Sequence, residues 1–145
     1  MEIIANDVQL VTANQNILFT DTVVNGSKWI SHRTGSGLIT LKGVKGCDCG
    51  CQAKARYLVM FSGNIAIPTT GTAPSEISVT ISLDGEPVAS TRMRVTPGAV
   101  NYYFNVATST YIEAPNGCCS TVSVENTSTQ TIEVENANLI AVRVV

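Results

Sequence analysis

The stretch from Thr121 to Val145, TVSVENTSTQTIEVENANLIAVRVV, constrains the fold more than any other. Val122 and Val124, then Ile132 and Val134, then Ile140, Val142 and Val144 are each one residue apart, with Ser123, Glu125, Glu133 and Glu135 among the residues between and beside them. Side chains on a strand alternate between two faces, so the spacing predicts three short strands with one buried face each. Asn126-Thr127-Ser128 and Asn136-Ala137-Asn138 predict turns between them, because such side chains bond their own backbone. A sheet buried on one face needs an opposing sheet, and the rest of the chain must supply it.

The remainder reads the same way. Val and Thr each occur 17 times while Lys occurs four times, and β-branched residues suit a pleated, half-buried surface. Ile77, Val79, Ile81 and Leu83 alternate with Ser78, Thr80 and Ser82, and Asp84-Gly85 then predicts a tight hairpin into Pro87 to Val95. Shorter strands are expected around Val8 to Val11, Ile17 to Phe19, Val23-Val24, Trp29-Ile30, Leu38 to Leu41, Tyr102 to Val106 and Ser109 to Glu113. Apolar residues nowhere recur at helical spacing over three turns. About ten short strands in one domain spanning 1–145 predict an all-β sandwich or barrel. Residues 1–16 are expected to form an N-terminal arm or edge strand that reaches a neighbouring protein.

Two strands carry apolar residues on the face that should meet solvent. Ala53 to Ser62 places Ala55, Tyr57, Val59 and Phe61 on one side and Lys54, Arg56, Leu58 and Met60 on the other. In the closing strand, Leu139 and Ala141 lie opposite Ile140, Val142 and Val144. Only 14% of residues are charged, against about 25% in ordinary domains. Either Thr, Ser and Asn make up the surface, or other subunits cover part of it. On the second reading Leu58, Met60, Leu139 and Ala141 are the expected subunit contacts.

The net charge of −2, with basic residues scattered, gives no footprint for nucleic acid. No apolar run is long enough to span a bilayer, and no signal peptide is recognisable at the N-terminus. The chain is therefore expected either to be made and used outside the general secretion route, which the initiator Met favours, or to be a processed form.

Candidate chemistry is sparse. Cys47, Cys49 and Cys51 form a tight cluster, with Cys118-Cys119 far along the chain. Thiolates are soft metal ligands, but zinc sites usually space them by two to four residues. A disulfide joining the two clusters or two subunits, and unpaired loop thiols, both remain open beside the metal reading. His32, the sole histidine, has no carboxylate or nucleophile beside it in sequence to make a catalytic base. Glu133 and Glu135 share one strand face and read as solvated. Gly35-Ser36-Gly37 lacks the following helix that a phosphate site needs. Tyr102-Tyr103 is the best candidate for a ligand platform, since one of two adjacent strand residues must face outward. These residues predict no enzyme and no cofactor.

The strands and turns Tyr57-Leu58-Val59-Met60-Phe61-Ser62-Gly63, Ile77 to Leu83 with Asp84-Gly85-Glu86-Pro87-Val88, Cys119 to Asn126 and Asn138 to Val142 resemble the TNF/C1q-like jelly roll in their order. That resemblance covers roughly residues 53–145 and implies an all-β, two-sheet antiparallel jelly-roll sandwich that assembles as a homotrimer. The whole chain is also similar to small structural proteins of phages and prophages of Gram-positive bacteria. The similarity rests on Ala13-Asn14-Gln15-Asn16, Phe19 to Val24, Gly85 to Thr91 and Glu135 to Ile140. It implies a virion component, most simply a capsid (head) decoration protein on a bacteriophage particle, with the major capsid protein or another particle protein as partner. The alternative is a receptor- or glycan-binding module of a phage fibre or of a bacterial or spore surface. Fold alone does not choose between these roles.

Overall fold

The computed structural model describes residues 1–44, 54–117 and 119–145. The strands are β1 (Glu2–Ala5), β2 (Gln9–Val11), β3 (Asp21–Val24), β4 (Ile30–His32), β5 (Ile39–Lys42), β6 (Ala55–Ala66), β7 (Ile77–Leu83), β8 (Glu86–Pro87), β9 (Met93–Val95), β10 (Phe104–Ala114), β11 (Cys119–Asn126) and β12 (Ile132–Arg143). A 3-10 turn, Ala89–Thr91, separates β8 from β9. One sheet runs β10-β6-β12-β1-β3 with β2 also on β12; the other runs β4-β5-β11-β7-β8 with β9 also on β7. All pairs are antiparallel, and the chain crosses repeatedly from one sheet to the other. This is the jelly-roll sandwich.

Alternation builds the core. Tyr57, Val59, Phe61 and Ile65 of β6 face Ile77, Val79 and Ile81 of β7, and Val122 and Val124 of β11, across the sandwich; all are at most 2% exposed. Fully buried, the Tyr57 side chain still satisfies its hydroxyl, which donates to the backbone oxygens of Lys42 (2.5 Å) and Trp29 (3.3 Å). The Asp84-Gly85 turn forms as expected, both residues at positive φ (51° and 86°), but the expected arm Pro87 to Val95 is broken into β8, the 3-10 turn and β9.

Residues 1–16 do not form a projecting arm: β1 and β2 join the first sheet, and Asn14 to Asn16 bond β11 of the second. β1 lies between β12 and β3, whereas β2 is paired on one side only. Buried Asn126 ties this segment down. Its amide donates to the Val11 and Gln130 oxygens (2.9 Å each), and its backbone bonds Asn14 and Gln15.

The closing stretch departs from expectation. Asn136-Ala137-Asn138 is not a turn, and β12 runs through it as one 12-residue strand. Glu135 pairs with Asn64 and Asn138 with Ser62, so two residues of β12 stand opposite Gly63 alone. This is a β-bulge, with Asn136 at φ 52°. Gly63 makes room for it: a Cβ there would sit 3.0 Å from the Phe61 ring and 3.6 Å from the Ala137 Cα. The extra residue reverses the alternation. Ile132 and Val134 are buried, then Ala137, Leu139 and Ala141, while Val142 and Val144 are each 44% exposed. The expectation that Ile140, Val142 and Val144 fill the core and Leu139 and Ala141 face a partner is therefore inverted.

Left-handed φ suits Asn or Gly and strains a β-branched residue. Asn136→Val should lower stability by about 1–2 kcal/mol, and Asn136→Gly should leave it nearly unchanged, as read from urea unfolding midpoints. Equal midpoints for the two variants would contradict this account of the bulge.

Candidate interaction face

The outward sides of the two sheets differ. On the second sheet, Ser78, Thr80, Ser82 and Ser123 point away from the core yet are at most 2% exposed. The chain itself covers them. The Thr127 hydroxyl lies 2.7 and 2.9 Å from those of Ser78 and Thr80, the Ser78 N–H donates to the Ser128 hydroxyl, and Thr91 of the 3-10 turn bonds both backbone groups of Ile81.

On the first sheet no such covering segment crosses the middle strands among the described residues. Cross-strand register orders its outward side into rows. Tyr111, Leu58 and Val142 form one row, and Ser109, Met60 and Ile140 the next. Tyr111 is 65% exposed, and Leu58, Met60 and Ile140 are half-buried. A shallow hollow of about 380 Å³ opens beside them, lined by Met60, Ser62, Ala107, Ser109, Asn138 and Ile140. Of the four contacts expected from sequence, Leu58 and Met60 lie on this strip. Leu139 and Ala141 are fully buried, and the bulge puts Ile140 and Val142 in their place.

The two ends of the face carry charge. At one, Glu113 accepts from Arg56 (2.9 Å) and lies 3.6 Å from Lys54, and the Arg56 hydrogen bond holds its carboxyl below the usual range. At the other stand Glu133 and Glu135. They share a face as predicted, but Glu133 is not simply solvated, because the Tyr103 hydroxyl donates to it at 2.6 Å. Oriented with its nitrogen toward Glu133, the Asn101 amide donates to both carboxylate oxygens (3.2 and 3.3 Å). Tyr102, Tyr103 and Phe104 are 60%, 36% and 40% exposed. Both predicted platform tyrosines thus reach the surface, just ahead of β10 rather than within a strand.

Other candidates are placed differently. The His32 Nε2 lies 3.0 Å from the Ser36 oxygen, its ring stands edge-on to Phe19, and its buried Nδ1 has no partner among the described residues. That geometry orients a loop rather than a catalytic base. Trp29 borders an open cleft of about 570 Å³, but Arg143 sits 4.1 Å and Lys28 5.0 Å from its ring centre, which engages the ring in cation–π contacts. Cys47, Cys49, Cys51 and Cys118 lie outside the described residues. Cys119 opens β11 opposite Lys42. No group of three His, Cys, Asp or Glu side chains capable of holding a metal occurs among the described residues.

Comparison with solved structures bears on the fold. The globular domain of zebrafish complement 1qA protein superposes with a TM-score of 0.60 at 10% identity, covering 96% of this chain and 93% of that one. The fold is a C1q-like jelly roll. The EclA C-terminal domain, a sugar-binding protein, gives a TM-score of 0.39 at 12% identity, over 95% of this chain and 79% of that one. A family 35 carbohydrate-binding module from Clostridium thermocellum gives 0.36 at 12% identity, over 92% and 98%. Neither superposition is close enough to bear on function. No family model matches the chain, and no curated protein matches its sequence.

Tyr103 gives the aromatic end a readout of its own. Burial, then the bond to Glu133, then the charges of Glu133 and Glu135 push its phenol from 10 up to about 12. The neutral phenol therefore supports the fold fully below pH 10, and that support is lost as pH rises through about 12. Absorbance titration should show a tyrosine ionising near pH 12 that disappears in Tyr103→Phe. An unchanged titration curve in that variant would contradict the Tyr103–Glu133 contact.

Proposed function

We propose that this protein is a non-enzymatic, homotrimeric jelly-roll module that decorates the surface of a bacteriophage particle, its copies meeting through the outward side of the first sheet. The observation that carries the assembly is the strip of Tyr111, Leu58, Val142, Met60 and Ile140 on the three central strands. A sheet centre that leaves such residues half-exposed is a common mark of an interaction site. The likeness to the TNF/C1q-like module supports three-fold closure, and the phage similarity of the sequence supports the virion, with synthesis in the bacterial cytoplasm. The other sheet cannot offer an equivalent surface, because its own chain covers the β7 side.

Light scattering on a sizing column should give three times the 15.3 kDa chain mass at micromolar concentration. Leu58→Asp with Met60→Asp should give one chain mass while keeping cooperative thermal unfolding, since both side chains are outward. A monomeric wild type, or variants that remain trimeric, would sink the assembly. Purified source particles lacking the protein would sink the virion role.

A further inference from the structure

We infer that the end of the same face around Tyr103 and Glu133 is a carbohydrate site for neutral or amino sugars. Tyr102 and Tyr103 are exposed aromatics at this end, costly to leave in water, and the Tyr103 ring beside Glu133 offers a face on which the apolar side of a sugar can stack, whereas Phe104 pairs with inward-facing Ile65 and lies off this side. The Tyr103 ring does not swing freely, because its hydroxyl is held 2.6 Å from Glu133. The Asn101 amide braces the same carboxylate, so a hydrogen-bond acceptor is preset beside a preset ring.

Register brings the polar partners alongside. Asn64 pairs with Glu135 on one side and with Asn105 on the other, in the row next to Glu133. Asn105 donates to the Asn64 amide oxygen at 3.0 Å, which leaves the Asn64 nitrogen and the Asn105 oxygen for a ligand. Planar amides and carboxylates next to fixed rings match a ligand with hydroxyl groups around an apolar face. The charge is selective. Glu133 and Glu135 repel a uronic or sialic acid and accept hydroxyls, amides or a cationic amine.

Assembly leaves this end open. Three copies would bring Glu133 and Glu135 together as six carboxylates, which cannot be stripped of water side by side. The acidic ends therefore stay solvated at one mouth of the trimer and present three sites together, which raises avidity for a repeating glycan.

Saturation-transfer NMR with chitotriose and lactose as neutral probes, and trigalacturonate as the acidic one, tests the site on the intact protein. The expected result is saturable binding of a neutral probe at millimolar concentration and none of trigalacturonate. Tyr102→Ala with Tyr103→Ala should weaken it at least about tenfold without altering the melting temperature by more than a few degrees. The Leu58→Asp, Met60→Asp chain should bind the same probe with unchanged per-site affinity, which separates this site from the assembly. The site is overturned if neither neutral probe binds, if the aromatic variant binds as wild type does, or if trigalacturonate is preferred.

Discussion

The pairing of β6 with β12 decides which side of the first sheet is core, and the extra residue in that pairing decides it twice. Before the bulge, Ile132 and Val134 point inward; after it, Leu139 and Ala141 do. Every neighbour inherits that parity through cross-strand register, including β1 on one flank of β12 and β10 beyond β6. The bulge depends on two backbone allowances, a left-handed Asn136 and a side-chain-free Gly63 opposite. Without them the strand would carry Ile140 and Val142 into the core and turn Leu139 outward.

The two sheets then meet solvent in different ways. β7 is buried on both sides: its outward Ser78 and Thr80 hydroxyls bond Thr127, and the Ile81 backbone bonds Thr91 of the 3-10 turn above it. Among the described residues nothing covers the middle of the first sheet, which presents larger apolar side chains there, flanked by an ion cluster at one end and acids with tyrosines at the other. Self-association and ligand binding are both assigned to this one face because its rows change chemistry along the strands. The apolar middle gains by losing water, and the acidic end loses by it.

Much of the fold was legible in the sequence, and the reason is period two. Alternation identified the strands later seen as β7, β11 and much of β6, and the turn chemistry of Asp84-Gly85 located a hairpin, because both signals are local. What failed was also specific. Asn136-Ala137-Asn138 has the composition of a turn, and a bulge differs from a turn only in whether the partner strand continues opposite it. That depends on Ala55–Ala66, remote in sequence, so the parity of Leu139 to Val144 was misread and the core residues Leu139 and Ala141 were expected to face outward. Leu58 and Met60 do point outward, because β6 has no such irregularity before Gly63. The Tyr103–Glu133 bond escaped notice because the two residues are 30 positions apart and their proximity is set by register in the folded sheet.

A photo-crosslinking residue on the outward face tests the central claim most directly. With p-benzoylphenylalanine at Val142, irradiation at micromolar concentration should yield covalent species of two and three chains. The same residue at Ser31, on the outward side of the second sheet, should yield only the single chain. Equal crosslinking from both positions, or none from Val142, would contradict the assignment of the first sheet as the face through which copies meet.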